Sequence, residues 1–135
     1  MNRRKAREAC FIILFQYAFQ PNVDEILEYF FEITENVGEQ KSYIQLLCER
    51  FIENTEKVDE LIEKHSKNWR IDRISMVSLA ALRLSVCEML YCDDVPNVVS
   101  LAEALEITKK FEGEDAVSFV NGILEGIRVE LEDEK

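Results

Sequence analysis

Four cations stand within the first seven residues of the chain: Arg3, Arg4, Lys5 and Arg7. Clustered guanidinium and ammonium groups bind phosphate oxygens, so residues 3–7, the basic head, are candidates for contact with nucleic acid or an acidic membrane. The chain has 16 Lys and Arg against 27 Asp and Glu, and without the head the remaining 12 cations and 27 carboxylates give a charge of −15. Because so acidic a body repels polyanions, this asymmetry indicates a specific role for the head. The alternative is a solvated, frayed chain end.

The residue types that commonly carry catalysis form no recognisable constellation. The chain has no glycine-rich phosphate loop, no GxGxxG or GxSxG motif, and a single histidine, His65. Acidic pairs such as Asp93–Asp94 and Glu114–Asp115 are expected on the solvated faces of so acidic a protein. We therefore expect no enzymatic activity, no metal site and no cofactor.

Four cysteines, an even number, raise the question of disulfides, and their positions argue against them. No CxxC pair is present, and the apolar run after the basic head covers only residues 11–15, too short for a secretory signal. We interpret the cysteines as reduced, buried core residues of a cytosolic protein. They are Cys10, Cys48, Cys87 and Cys92.

The elements that must position the head are helices. With only 4 Gly and 2 Pro in 135 residues, the chain lacks the turn residues of a β fold, and one domain over 1–135 is expected. Apolar residues spaced three and four apart predict six or seven helices, and the segment from Lys41 is either one long helix or two with a kink near Asn54–Thr55. Asp72 is a candidate cap at the start of the central helix. The predicted spans are about 3–19, 24–36, from 41, 74–91, 98–111 and from 114.

The helix over 74–91 is apolar on nearly every side, which is typical of a buried core helix. Arg83 interrupts it, and a buried guanidinium needs a carboxylate partner. Glu103 on the next helix is the predicted partner, because Glu88 lies five residues away on the same helix and off the favourable spacing. The pair is interpreted as structural.

Two glycines stand within the last helix. Gly122 and Gly126 are four residues apart and therefore share a face. Each costs roughly 1 kcal/mol relative to alanine, so a close approach by a neighbouring helix or by a ligand must offset the cost. Helix packing is the expected explanation.

Several segments together resemble the NusB family of transcription antitermination factors, in order and over nearly the whole chain. The most specific is Phe119-Val120-Asn121-Gly122-Ile123-Leu124, which follows Gly113-Glu114-Asp115. The others are Arg3-Arg4-Lys5-Ala6-Arg7-Glu8-Ala9, Asn68-Trp69, Asp72-Arg73-Ile74, Leu82-Arg83-Leu84 with Glu88, Val95-Pro96, Glu103-Ala104 and Lys109-Lys110-Phe111.

The resemblance implies an all-α fold of two packed helical bundles and a non-catalytic factor of the bacterial cytoplasm. Such a factor binds the boxA element of nascent, notably ribosomal, RNA together with NusE, a small-subunit ribosomal protein, within an RNA polymerase antitermination complex. By the same resemblance, RNA would contact the four cations of the basic head and the start of the last helix, at Asp115, Ser118, Phe119 and Asn121. Phe119 would stack on bases or pack in the core, whereas Asn121 would read base edges. Arg73, Ser78 and Leu79 would face the protein partner.

The chain departs from the family pattern at three places. Ser118 replaces a frequent lysine, Ala102 replaces an asparagine, and Ser78 and Leu79 stand where acidic residues often face the partner. A second hypothesis therefore keeps the fold but makes the chain a helical protein–protein adaptor without its own RNA function.

Overall fold

The computed structural model describes residues 1–67 and 69–134, and within them it contains seven α-helices, one 3₁₀ helix and no β-strand. The predicted all-α class is confirmed, and the segment from Lys41 is two helices separated at Asn54. Asn68, which the family resemblance includes, lies outside the described residues. The helices are α1 (Arg3–Tyr17), α2 (Val23–Ile33), α3 (Gln40–Glu53), α4 (Thr55–Lys64), α5 (Met76–Tyr91), α6 (Asn97–Phe111) and α7 (Glu114–Asp133), with the 3₁₀ helix at Ile71–Arg73.

Side-chain caps fix where several helices begin. The Asn2 side chain accepts a hydrogen bond from the backbone N–H of Lys5 at 2.8 Å, so the basic head forms the first turns of α1 and is not a frayed end. Ser75 caps α5 by accepting from the backbone N–H of Ser78 at 3.1 Å. The prediction that Asp72 caps this helix is wrong, because Asp72 lies in the preceding 3₁₀ turn.

Helix α5 is the centre of the structure, as its apolar sequence predicts. Every residue from Ser78 to Met89 is buried, and α5 packs against two groups of helices, α1 with α3 and α4 with α6 and α7. The two groups of helices are the two bundles, and α5 joins them. No helix in the described part of the chain has the length and apolarity needed to cross a membrane.

All four cysteines lie in this core as free thiols. Burial raises the pKa of Cys10 and Cys87 well above the ordinary thiol range and that of Cys92 to about 11. These three thiols therefore stay protonated near neutral pH, which is typical of packing residues and not of nucleophiles.

A buried charge cluster ties α1, α3 and α5 together. Glu88 is fully buried, and both of its carboxylate oxygens accept from Nε of Arg7, at 2.9 and 3.1 Å. The hydroxyl of Tyr43 donates to the same carboxylate at 2.6 Å. Burial by itself lowers the pKa of Arg7, but the charge and hydrogen bonds of Glu88, with smaller contributions from Tyr43 and Glu103, together outweigh it and the pKa is raised. The cluster is thus charged and internally satisfied.

The predicted Arg83–Glu103 pair is wrong. Arg83 instead donates from Nε and from Nη2 to the two carboxylate oxygens of Asp59 on α4, at 3.0 and 2.9 Å. Its guanidinium also lies 5.2 Å from the ring centre of Phe51. Glu103 pairs with α1, as described below. The structural role of Arg83 remains, but it joins α5 to α4 and not to α6.

The two glycines of α7 differ in their surroundings. A methyl group at Gly126 would lie 2.6 Å from Nδ1 of His65, so close packing explains this glycine. The same imidazole lies with Nε2 2.9 Å from Glu130, which Lys64 also contacts at 2.7 Å. At Gly122 a methyl group would meet nothing within 4 Å, so the expectation of helix packing is wrong there.

Removing the carboxylate of Glu88 should destabilise the protein strongly. In Glu88→Leu the buried guanidinium of Arg7 loses its hydrogen-bonded partner and keeps only the carboxylate of Glu103, 3.9 Å away, so the free energy of unfolding should fall by about 3–5 kcal/mol in urea denaturation. The double variant Arg7→Met/Glu88→Leu should recover most of the loss. Equal stability of Glu88→Leu and the unmodified chain would contradict the assignment.

Replacing Arg83 by leucine leaves Asp59 charged and only 22% exposed. We expect a loss of about 2–4 kcal/mol and a lower melting temperature, measured by circular dichroism. Adding Asp59→Ala should restore part of the stability, whereas adding Glu103→Ala should not. An unchanged melting temperature in Arg83→Leu would show that the pair is not structural.

Candidate nucleic-acid interface

The first turn of α1 presents part of the basic head to solvent. Arg4 and Lys5 are exposed, and Arg3 is half-buried. Arg3 donates from Nε to Oε1 of Gln40 at 2.9 Å, and its guanidinium lies 4.0 Å from the ring centre of Tyr43. The ring of Tyr43 is itself fixed by Glu88, so Arg3 is held in a defined orientation while its outer edge stays accessible.

Arg7, by contrast, is not available to RNA. Its side chain is 6% exposed and is bound to Glu88. The prediction that it contacts phosphate is therefore corrected: Arg7 fixes the first turns of α1 on the core, and Arg3, Arg4 and Lys5 remain as the phosphate-binding candidates.

Arg4 is exposed but already has a carboxylate partner. Its Nε and Nη2 donate to the two carboxylate oxygens of Glu103 on α6, at 3.2 and 2.9 Å. This hydrogen bond holds the pKa of Glu103 below its ordinary value. The Arg4 side chain is 75% exposed and that of Glu103 only 16%, so the carboxylate lies at the bottom of the contact and the guanidinium at its rim.

Arg4 and Glu103 line an open cleft of about 460 Å³ between α1 and α6. Lys5 lies on the same cleft, and Lys110 at its far end donates to both carboxylate oxygens of Glu8 at 3.0 Å. Cations and carboxylates therefore lie side by side along it, and the exposed Arg4, Lys5 and Lys110 are accessible to an external anion. Lys110 was not predicted as a site residue, although it belongs to the Lys109-Lys110-Phe111 segment.

The start of α7 forms a second candidate surface. Asp115, Ser118 and Asn121 are exposed there, as a nucleic-acid contact requires. Phe119 is half-buried: it packs against the core and also meets Trp69 edge to face, with ring centres 6.0 Å apart. Both interpretations of Phe119 thus keep support, since one part of the ring lies in the core and the other faces the surface.

Helix α6 lies between the two candidate surfaces. Through Glu103 and Lys110 it contacts α1, and along its length it packs against α7. Trp69 flanks the α7 surface with 52% of its area exposed and was not predicted as a site residue. The available signal in the sequence was that the only tryptophan of the chain stands in the Asn68-Trp69 segment of the family resemblance.

The predicted protein-partner surface is corrected at two of its three residues. Arg73 is exposed, but Ser78 is buried and its hydroxyl donates to Glu112. Leu79 is also buried in the core. These two side chains sit on the inner side of α5 and support the fold.

Comparisons with known proteins agree with the geometry. The sequence model of the NusB family matches residues 4–128. The transcription antitermination protein NusB of Natranaerobius thermophilus is 42% identical over 97% of each chain. The structure of T. maritima NusB superposes with a TM-score of 0.88 at 34% identity, covering 96% of this chain and 92% of that one. A crystal structure of the antitermination factors NusB and NusE in complex with dsRNA superposes with a TM-score of 0.79 at 27% identity, covering 95% and 96%. The chain therefore belongs to the NusB family.

Proposed function

We propose that this protein is a non-catalytic transcription antitermination factor of the bacterial cytoplasm, acting as a single RNA-binding domain over residues 1–135. It binds boxA RNA of nascent ribosomal transcripts together with NusE, within the RNA polymerase antitermination complex. The observation that carries the proposal is the basic head, ordered on α1 with Arg4 and Lys5 at the rim of the cleft to α6. Family membership and the structural similarity to the NusB–NusE complex with dsRNA support it.

The phosphate surface is small. Because Arg7 is bound to Glu88, only three cations of the basic head can contact phosphate: Arg3, Arg4 and Lys5. Three contacts to a single strand predict a log–log dependence of affinity on salt with a slope of about −2. In a chain of net charge −11 this supports weak binding alone, so a partner that adds its own RNA contacts must supply the remaining affinity.

Titration of labelled boxA RNA with and without NusE tests this proposal. We expect weak binding alone, markedly tighter binding with NusE, and at least a tenfold preference over a scrambled RNA, measured by fluorescence anisotropy. Arg4→Glu/Lys5→Glu should abolish binding. The control Lys57→Glu on α4, whose lysine is exposed and outside the head, should not. Equal affinities with and without NusE would reject the cooperative scheme, and an unaffected Arg4→Glu/Lys5→Glu variant would favour the adaptor hypothesis.

The Arg4–Glu103 pair predicts a variant that binds RNA more tightly. A phosphate that approaches Arg4 must displace the carboxylate of Glu103 or tolerate its charge nearby. Glu103→Gln removes that competitor, and we expect RNA affinity to rise about two- to fivefold at low salt, the range of an exposed ion pair.

The matched control is Glu56→Gln on α4, which changes the net charge equally at an exposed position away from the head. The RNA affinity of this control variant should stay close to that of the unmodified protein. If Glu103→Gln instead binds RNA more weakly, the carboxylate orients Arg4 for phosphate and does not compete with it.

A further inference from the structure

Gly122 is the one feature of α7 that the fold does not explain. Glycine is unfavourable inside a helix, and a side chain here would meet no neighbour. At Gly126, one turn later, the imidazole of His65 occupies the corresponding space. The space over Gly122 is therefore open to something outside the chain.

That space is a small cleft between the start of α7 and the turn that follows α4. Its volume is about 190 Å³, and Gly122 lies on it together with Trp69, Phe119, Ser118 and Lys67. Two aromatic rings inclined at 69° meet there, and Ser118 and the exposed Lys67 also line the cleft. Small-molecule sites usually measure about 300–1,000 Å³, so the cleft suits one ring inserted from a larger ligand.

The turn that carries the indole is fixed by the core. Ser66 is 2% exposed, and its hydroxyl lies within hydrogen-bonding distance of the carbonyl oxygens of Glu63, at 2.9 Å, and of Trp69. The backbone N–H of Trp69 donates in turn to the carbonyl of Ser66 at 3.2 Å. Trp69 is thus placed by a short hydrogen-bonded turn, and over half of its surface stays exposed.

We propose that this cleft receives one unpaired base of single-stranded RNA, which stacks on Trp69 beside Phe119 and lies over Gly122. The inference rests on the proposed function and extends it: it adds Trp69, Gly122 and Lys67 to the RNA surface. Aromatic rings are stacking platforms for unpaired bases, and Lys67 supplies a cation for the adjoining phosphate. The cleft is also continuous with Ser118 on the exposed start of α7. A base in this cleft would overlap the side chain of a leucine at position 122, so the inference requires a small residue there.

Trp69 is the sole tryptophan of the chain, so its fluorescence reports on the cleft directly. Titration of the full chain with boxA RNA in the presence of NusE should quench this emission, with Trp69→Phe as the blank for the partner's own signal. Gly122→Leu should abolish the quenching and weaken RNA binding at least about fivefold, the lower end of the loss of one stacked base. Trp69→Ala should weaken binding similarly, whereas Trp69→Phe, which keeps an aromatic ring, should retain most of the affinity.

The outcomes separate this inference from the proposed function. Tight, NusE-dependent RNA binding without quenching, and undiminished in Gly122→Leu and Trp69→Ala, would overturn the cleft assignment and leave the function intact. If these variants lose NusE binding in the absence of RNA, the cleft binds a side chain of NusE and not an RNA base, which would overturn the inference. Failure of the unmodified protein to bind boxA RNA at all would overturn both. Gly122→Ala, whose methyl group meets nothing, serves as the folding control and should retain helical circular dichroism and most of the RNA affinity.

Discussion

The carboxylate of Glu88 lies at zero exposure near the C-terminal end of α5, and a charge in that position requires a partner of fixed geometry. Arg7 supplies the guanidinium and Tyr43 the hydroxyl, so three helices meet at one buried anion. Because these groups are satisfied only in one arrangement, α1 has one register and one rotation relative to α5. The outward direction of Arg4 and Lys5 follows from that constraint. A structural residue inside the basic head therefore decides where its other cations point.

The surface around the head shows how an acidic protein can present cations without binding every polyanion. Arg4 lies against Glu103, and Lys110 lies against Glu8, so each of these cations faces a carboxylate from the opposite helix. Exposed pairs of this kind contribute little to stability and can be exchanged for other anions. Without a ligand, the positive and negative charges that line the cleft nearly cancel. Selective binding of a polyanion then depends on its contacting several of these cations together.

Much of the fold was accessible from periodicity, because seven amphipathic or apolar segments can bury their surface only as helices. The two errors about arginine concern polar groups inside the core. Helical spacing and chain order favour a partner for Arg83 on the next helix, but its partner Asp59 lies 24 residues earlier on another helix, and local sequence spacing does not indicate such a contact. By charge alone, Arg7 belongs with the other cations of the basic head. Its position three residues before Cys10 on the buried stripe of α1 was a signal that it faces inward. The exposed cleft beside Gly122 depends on a turn after α4, which helical periodicity does not describe.

The contact between His65 and Gly126 links two positions that are far apart in the chain, since the imidazole fills the volume that any side chain at 126 would need. Within the family the two positions should vary together. A relative with alanine or a larger residue at position 126 should carry a residue smaller than histidine at position 65. A relative that keeps glycine at position 126 can keep the histidine and its contact with Glu130. A substitution at only one of the two positions would leave either a steric overlap at position 126 or a cavity in place of the imidazole. The packing of α4 on α7 therefore restricts the order in which this part of the molecule can evolve.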